Sequence, residues 1–259
     1  ATITEPLRKR NAHTMKILII SDAWQPQING VVRTYENLSR EFVSMGHNVK
    51  VIGPRDFPSR YPCPGYNEIE LTPFPSKHLR QEIVNFQPNH IHIAVEGPLG
   101  WAARRICLDQ KLFFTTCYHT HFPDYLATRL PPELGLLKNP LSQLSFKVLS
   151  SFHNAANSTF VVSDTLANQL RDNGFSGHFN TLTRGINTDL FYLGERNLFA
   201  DLPRPIAIYV GRVAPEKNIE AFLKAKWDGS KIVVGDGPSL KSLRSQYPDV
   251  HFLGAKSGQ

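Results

Sequence analysis

The chain has 259 residues, of which 41% are hydrophobic and 20% are charged, a balance that excludes a disordered chain and is typical of globular domains. Its formal net charge of +7 favours anionic partners such as nucleotides, phosphates or an acidic membrane surface. The basic residues are scattered and show neither zinc-finger spacing nor an aromatic and basic RNA motif, so we expect no nucleic acid partner.

The cysteines and the apolar runs indicate the compartment. Cys63, Cys107 and Cys117 lie far apart and form no CxxC pair, which argues against a disulfide framework and fits a reducing environment. No apolar run approaches the roughly 18 residues that a transmembrane helix needs. Residues 1–14 are polar and basic and precede Met15, which predicts a flexible tail. We therefore expect a cytoplasmic protein.

Short apolar runs alternate with helical periods from Lys16 onward, which predicts an α/β fold. Residues 16–21 predict a buried strand and residues 48–53 the second strand of a parallel βαβ unit. Between them, an amphipathic helix that ends at Gly46 is predicted. Its apolar face consists of Val31, Tyr35, Leu38, Phe42 and Met45.

The same alternation continues through residue 183. Helices are predicted over 78–87, 98–110, 141–156 and from 164, and strands over 90–95, 112–119, 158–163 and 178–183. Asp164 is the expected N-cap of its helix. The strands are apolar throughout, which is typical of a parallel sheet covered on both faces. Residues 58–68 are rich in proline and glycine and predict an irregular surface loop.

A second α/β pattern follows a segment without a clean period, residues 184–205. Strands are predicted over 206–211, 231–235 and 250–254, and helices over 218–227 and 239–247. Three strands and two helices are too few for an independent doubly wound domain, which predicts that roughly 100 residues of it are missing. The expected domains are a tail (1–14), an N-terminal domain (15–185), a linker (186–205) and part of a second domain (206–259).

Two glycine positions and two cations follow predicted strands, where open parallel sheets bind their ligands. Gly30 opens the first long helix, whose N-terminus suits a phosphate, although an ordinary turn glycine is the alternative. Arg212 and Lys217 flank a strand-to-helix loop and could clamp a diphosphate, with a solvated loop as the alternative. Gly235 lies in a GDGP turn, which alone is common turn chemistry.

The stretch YHTHFPDY also follows a predicted strand and contains His119, His121 and Asp124. A metal site would need all three, but Pro123 turns the chain between the histidines and the aspartate, and the spacing fits iron sites poorly. Histidines that line a ligand pocket are favoured, and metal-binding or structural histidines remain alternatives. His90 and His92 alternate along a strand, which favours packed or half-exposed histidines over metal binding.

The helix predicted over 141–156 is amphipathic and carries basic residues. It could lie on an acidic bilayer, or its apolar face could pack on the core of the first domain. Packing on the core is the simpler interpretation.

These motifs together resemble the retaining glycosyltransferases of family 4, which have the GT-B architecture of two Rossmann-like domains. The resemblance runs over residues 15–259, from KILIISDAWQPQINGVVRT through VEGPLGWAARR, YHTHFPDY, TRGINTDLF, VGRVAPEKNIEAFL and VVGDGPSLKSL to HFLGAKSG. NGVVRT, GPLGWAAR and YHTHFPDY resemble the branch of GDP-mannose-dependent α-mannosyltransferases and sulfoquinovosyl- or glucosyl-lipid synthases. The N-terminal domain is then complete and the second only partly present.

The resemblance implies roles for particular residues. Arg212 and Lys217 match residues that hold the donor diphosphate, Gly30 matches a glycine near the donor phosphates, and His119 matches a histidine that lines the sugar site. His119, Arg212 and Lys217 are therefore the expected catalytic residues.

Further positions follow from the same resemblance. Gly235 and the segment that ends at Gly254 are expected to contribute to donor binding, Gly254 near the nucleotide base. Asp124 and Tyr125 are expected to face the acceptor. Asn187 stands where the family usually has aspartate, so that contact is not carried over.

The implied activity is transfer of a mannose- or glucose-type hexose from a GDP- or UDP-linked donor, held in a cleft between two domains, to a lipid or glycan hydroxyl. The resemblance implies retention of configuration, no metal and no cofactor, and a peripheral contact with an anionic membrane. The family's two glutamates with seven residues between them are absent from these 259 residues, so we expect little activity from them alone. The alternatives are a metal-dependent hydrolase that uses His119, His121 and Asp124, and a non-catalytic nucleotide-sugar-binding module.

Overall fold

The computed structural model describes residues 14–27, 29–63, 66–119, 138–183, 185–194 and 198–256. The chain divides after Arg184 into two compact units. None of the helices in these ranges is long and apolar enough to cross a bilayer.

Apart from the strands Tyr61–Cys63 and Tyr66–Leu71, which the sequence pattern does not predict, the first unit alternates strands and helices in the predicted order. Its elements are β1 (Lys16–Ile20), α1 (Gly30–Ser44), β2 (Asn48–Ile52), β3 (Tyr61–Cys63), β4 (Tyr66–Leu71), α2 (Ser76–Phe86), β5 (His90–Ile93), α3 (Pro98–Asp109), β6 (Phe114–Cys117), α4 (Lys138–His153), β7 (Ser158–Val161), α5 (Asp164–Asp172) and β8 (Phe179–Thr181). Six strands form one sheet in the order β2-β1-β5-β6-β7-β8, and every neighbouring pair is parallel. The predicted parallel α/β fold is confirmed.

Apolar side chains cover both faces of this sheet, and β1 shows how. Leu18 and Ile20 belong to a core cluster on one face, whereas Ile17 and Ile19 pack with Tyr35 of α1 on the other. Burial of each leucine or isoleucine stabilises the fold by about 1.5–3 kcal/mol. A strand that is apolar at every position is stable only where both faces are covered, which explains its central place in the sheet.

The helix at residue 164 begins one position away from the prediction. Ser163, not Asp164, is the N-cap, because its side chain accepts a hydrogen bond from the Leu166 N–H at 3.2 Å. Asp164 is the first helical residue, and its carboxylate accepts a hydrogen bond from the Thr181 hydroxyl at 2.9 Å. Serine and aspartate are both good N-cap residues, so the sequence allows either Ser163 or Asp164. The Asp164 carboxylate instead binds the Thr181 hydroxyl of β8, and Ser163 serves as the cap.

The prediction of an irregular loop over residues 58–68 is wrong for the strand residues in this range. β3 and the beginning of β4 fall within it, and these two strands form an antiparallel ribbon. Pro62 lies opposite Glu70, which pairs with Arg55 at 3.3 Å and with Arg60 at 3.5 Å. Proline argues against a central strand, but a ribbon of two strands has only edge strands.

Helix α4 packs on the first unit through part of its apolar set. Leu149 and Phe152 are buried in core clusters, whereas the side chains of Leu144 and Val148 are exposed by 58% and 46%. Packing on the core therefore accounts for Leu149 and Phe152, but it does not account for the exposed Leu144 and Val148.

The second unit contains a three-stranded parallel sheet in the order β11-β10-β9. Its elements are β9 (Ile206–Val210), α6 (Ile219–Lys224), β10 (Ser230–Val234), α7 (Leu240–Gln246) and β11 (His251–Gly254). The core consists of Val213, Ile219, Leu223, Val233 and Leu243.

Helix α6 ends three residues before the predicted boundary. The Lys231 ammonium group donates hydrogen bonds to the carbonyl oxygens of Leu223, at 2.7 Å, and Ala225, and Ala225 leaves the helical conformation. A cation at a helix C-terminus satisfies carbonyls that the helix itself cannot. The periodicity of residues 225–227 could not reveal this contact.

Candidate functional site

Asp22 ties the loop after β1 to the first turn of α3. Its Oδ1 accepts a hydrogen bond from the Leu99 N–H at 2.9 Å, and its Oδ2 accepts one from the Gly100 N–H at 3.1 Å. A Cβ at residue 97 would lie 2.3 Å from the Asp22 carboxyl carbon, so only glycine fits there. Burial raises the pKa of Asp22 to about 7, against the two N–H donors, and the nearby Glu96 adds to the rise.

The sequence pattern does not single out Asp22. The available signal was an aspartate directly after a buried strand, together with the glycines of EGPLG. Leu99 and Gly100, which donate hydrogen bonds to Asp22, are 77 and 78 residues away from it in sequence.

Asp22→Asn should remove part of the pH dependence of stability. The folded-state pKa of Asp22 is raised from 3.8 to about 7, so the folded state retains a proton that the unfolded chain releases over this window. The stability from this group is full below the lower value and is lost as pH rises through the higher one. In urea unfolding, the variant should therefore lose more stability relative to wild type at about pH 5 than at about pH 8. An equal loss at both pH values would contradict this, and Asp172→Asn provides a matched removal of an exposed carboxylate.

One face of the first sheet carries a chain of hydrogen-bonding side chains that ends at His119. His119 Nε2 lies 2.8 Å from the Tyr35 hydroxyl oxygen, and His92 Nε2 lies 2.7 Å from the same oxygen. The Thr115 hydroxyl oxygen lies 2.9 Å from His92 Nδ1 and 2.9 Å from His90 Nε2. His119 thus lies beyond the carboxyl end of β6, held by a side chain of α1.

The charge state of this chain follows from burial. His92 is almost completely buried, and burial, followed by the neighbouring His90 and His119, lowers its pKa to about 3. Burial also lowers the pKa of His90. His92 is therefore neutral at physiological pH, in agreement with a packed rather than an exposed histidine.

The opposite face of the sheet carries a second polar chain, which sequence analysis did not find. His153 Nδ1 lies 2.9 Å from the Thr116 hydroxyl oxygen, and His153 Nε2 lies 2.9 Å from a carboxylate oxygen of Glu96. The Thr116 and Thr159 hydroxyl oxygens are 2.9 Å apart. His153 ends an apolar helix, so its sequence context indicated packing only.

Gly30 lies where predicted, at the first position of α1. The preceding Asn29 is the N-cap, and its Oδ1 accepts hydrogen bonds from the Val31 and Val32 N–H groups, each at 3.0 Å. Two first-turn donors that we expected to be available for a phosphate are therefore already satisfied. An anion at Gly30 would bind the remaining N–H groups or displace the Asn29 side chain.

His121, Asp124 and Tyr125 lie outside the described residues, so the metal and acceptor-side hypotheses that depend on them stay predictions. Among the residues that are described, no group of three histidine, cysteine, aspartate or glutamate side chains is arranged to hold a metal ion.

The second unit brings three predicted donor-binding residues to one edge of its sheet. Gly211 donates a backbone hydrogen bond to Val234 at 3.0 Å, and Gly235 donates one to Gly254 at 2.9 Å. These bonds join the loops that follow β9, β10 and β11. Arg212, Gly235 and Gly254 therefore share the carboxyl edge, as the strand-end rule predicts.

The backbone of Arg212 is held on both sides and at its own carbonyl. Gly211 bonds to Val234, Val213 donates to the Asp236 carbonyl at 2.9 Å, and the Tyr209 hydroxyl donates to the Arg212 carbonyl at 2.9 Å. The Arg212 side chain is exposed. A guanidinium on such a fixed backbone is well placed to bind an anion with two parallel hydrogen bonds.

Lys217 lies in the same connection between β9 and α6. It ends a short 3-10 turn, Pro215–Lys217, and its side chain is exposed. The next residue, Asn218, has a left-handed backbone with φ of 47° and makes no side-chain cap. Because α6 has only six residues, its dipole adds little at this loop.

Comparisons with known proteins give a consistent result. The sequence model of Glycosyltransferase Family 4 matches residues 28–190. A GDP-mannose-dependent alpha-mannosyltransferase of Corynebacterium glutamicum is 27% identical over 95% of this chain and 63% of its own length. The sulfoquinovosyl transferase SQD2 of Arabidopsis thaliana is 28% identical over 88% of this chain and 44% of its own length. The chain thus spans less than two thirds of these curated relatives.

The fold has solved counterparts. The structure of Anabaena HepE in complex with UDP aligns with a TM-score of 0.60 and 13% identity, over 94% of this chain and 70% of that one. The apo form of the lipopolysaccharide outer core galactosyltransferase WaaB aligns with a TM-score of 0.56 and 14% identity. These likenesses establish the GT-B type of fold for this chain.

Proposed function

The chain belongs to Glycosyltransferase Family 4, and from this premise we propose that it transfers a mannose- or glucose-type hexose from a nucleotide-diphosphate sugar to a lipid or glycan hydroxyl. The observation that carries the proposal is the fixed loop around Arg212, together with Lys217 in the same connection. The names of the curated relatives, a mannosyltransferase and a sulfoquinovosyl transferase, support a hexose donor.

We propose that Arg212 and Lys217 bind the donor diphosphate. Negative charge develops on the diphosphate as its bond to the sugar breaks, and fixed cations stabilise that charge in the transition state. The planar guanidinium of Arg212 suits two oxygens at once, whereas the ammonium group of Lys217 acts as a point charge. Two such cations supply the charge that a divalent metal provides in other transferases, so a metal-independent, cofactor-free reaction is part of the proposal.

Retention of configuration is a further part. The acceptor hydroxyl would attack the sugar from the face that the diphosphate leaves, and an oxygen of the leaving diphosphate would take the hydroxyl proton. His119 would line the site of the transferred sugar, and Gly30, Gly235 and Gly254 would contact other parts of the donor.

A peripheral contact with an anionic membrane fits a lipid acceptor. The net charge of +7 attracts such a surface, and Leu144 and Val148 of α4 are exposed apolar side chains beside the basic Lys147. A soluble glycan acceptor would need no such contact.

A donor screen tests the proposal. The gene product that contains these 259 residues should turn over GDP-mannose, UDP-glucose or a related donor, measured as release of the nucleoside diphosphate. Residues 1–259 alone should show little or no turnover, because they carry no pair of glutamates with seven residues between them.

Three outcomes would each contradict a part of the proposal. Equal turnover by the 259-residue chain would mean that the two glutamates are not required. Stoichiometric zinc or iron, with activity that is lost on chelation, would favour a hydrolase that uses His119, His121 and Asp124. Donor binding without turnover by the complete gene product would favour a binding module.

A further inference from the structure

We propose that Tyr35 is a positioning residue that sets the orientation and the proton arrangement of His119, a role that rests on the proposed function of His119 in the sugar site. Tyr35 belongs to α1, is almost completely buried, and its hydroxyl oxygen lies 2.8 Å from His119 Nε2. The two rings meet edge to face, with centroids 5.4 Å apart and planes at 88°. The hydroxyl thus lies within hydrogen-bonding distance of one ring nitrogen of His119.

The other ring nitrogen of His119 also has a protein neighbour. Nδ1 lies 3.7 Å from the Cys117 Sγ, a weak sulfur hydrogen bond. The bond to Tyr35 is the stronger of these two and restrains the rotation of the ring. Loss of the hydroxyl would remove this restraint.

Proton counting links His119 to His92 through Tyr35. The Tyr35 hydroxyl has one proton to donate, and it faces Nε2 atoms of two histidines at 2.7 and 2.8 Å. It can donate to at most one of them, so at least one of the two histidines must carry its own Nε2 proton and donate to the oxygen. The Tyr35 hydroxyl therefore constrains the tautomers of His92 and His119 together.

On its other side, His92 contacts Thr115, which in turn contacts His90. Thr115 Oγ1 binds His92 Nδ1 at 2.9 Å, which holds the His92 ring against rotation. The Tyr35 hydroxyl is therefore anchored by a buried, neutral imidazole. Such an anchor holds His119 without adding a charge near the transferred sugar.

Nuclear magnetic resonance of the imidazole nitrogens tests this role without any donor. In the 259-residue chain, Tyr35→Phe should change the ¹⁵N shifts of both His119 and His92, because the shared hydroxyl is gone. Val32→Ala, a buried packing change one turn away in α1, should leave those shifts in place even if stability falls. Thr115→Val, which removes the anchor of His92 but not Tyr35, should shift His92 strongly and His119 less.

Kinetics of the complete gene product give the second readout. Tyr35→Phe should lower kcat about 10- to 100-fold through misalignment at the sugar, while the donor KM stays near wild type because other groups bind the diphosphate. Val32→Ala should change neither.

Each possible result decides one question. If Tyr35→Phe leaves the His119 shifts and kcat as in wild type, the positioning role is wrong although transfer stands. If the shifts move as expected but no donor is turned over by wild type, the proposed function fails and the coupling of Tyr35 to His119 stands. If Tyr35→Phe does not fold, unchanged His119 shifts in Thr115→Val overturn the inference.

Discussion

Alanine at both Arg212 and Lys217 should abolish hexose transfer by the complete gene product. Each cation would stabilise charge that develops on the departing diphosphate, and loss of one such group typically costs about 100- to 1,000-fold in rate. Single variants should therefore lose about two to three orders of magnitude in kcat, and the double variant should fall below detection. Nucleoside diphosphate release from the donor identified in the screen measures this.

The control variant also loses one positive charge, but at a position outside the loop after β9. Lys224→Ala removes an exposed cation of the same unit that pairs with Glu220 within α6. It should retain wild-type turnover, because α6 carries Lys224 in its last turn, away from the loop after β9.

Arg212→Lys separates charge from shape. The variant keeps the positive charge and loses the planar fork, so partial activity would indicate that two parallel hydrogen bonds to the diphosphate matter. Near-normal rates in both single alanine variants would show that the assignment of the diphosphate site is wrong.

Much of the fold could be predicted because its strands are short, apolar and buried on both faces. After Lys16, residues 17–20 are all apolar and leave no polar side chain to face water, so their burial follows directly from the sequence. Amphipathic α1 and its end before Gly46 follow from a helical period and a glycine with φ of 90°. Each of these patterns lies within a single strand or helix, so it can be read from the sequence without knowledge of tertiary contacts.

The errors come from contacts between distant residues. The choice between Ser163 and Asp164 as N-cap depends on a hydroxyl of β8, and the end of α6 depends on Lys231 of β10. Neither partner belongs to the helix that it modifies. A pattern confined to one helix cannot contain such information.

The candidate site divides along the same line. Arg212, Gly235 and Gly254 could be placed together from sequence, because each follows a predicted strand and parallel strands end at one edge. The contacts of Asp22 and Tyr35 could not be predicted from sequence. Asp22 binds Leu99, which is 77 residues away, and Tyr35 binds His119, which is 84 residues away. The effect of Asp22 on stability and the positioning role of Tyr35 stay predictions that the experiments above decide.

Gly235→Ala should unfold the second unit. Gly235 has φ of 150°, which L residues rarely adopt, and a Cβ there would lie 1.8 Å from the backbone carbonyl oxygen of Gly211. Backbone cannot yield as a side-chain tip can, so the loops after β9 and β10 would have to separate. We expect a loss of more than about 4 kcal/mol, which a small core of this kind cannot sustain.

Alanine at two other glycines separates the cost of the backbone conformation from the cost of the steric clash. Gly185→Ala meets open space and an ordinary backbone, so it should be neutral, whereas Gly254→Ala meets open space but has φ of 71° and should cost about 1–2 kcal/mol. Hydrogen exchange measured by mass spectrometry should show that Gly235→Ala loses protection in β9, β10 and β11 while β1 and β5 keep theirs. Wild-type protection in β10 would mean that the loop after β9 moves aside at low cost. The fixed position of Arg212 would then not depend on the close approach of Gly211 and Gly235, and the hydrogen bonds of Tyr209 and Val213 would be enough to hold it.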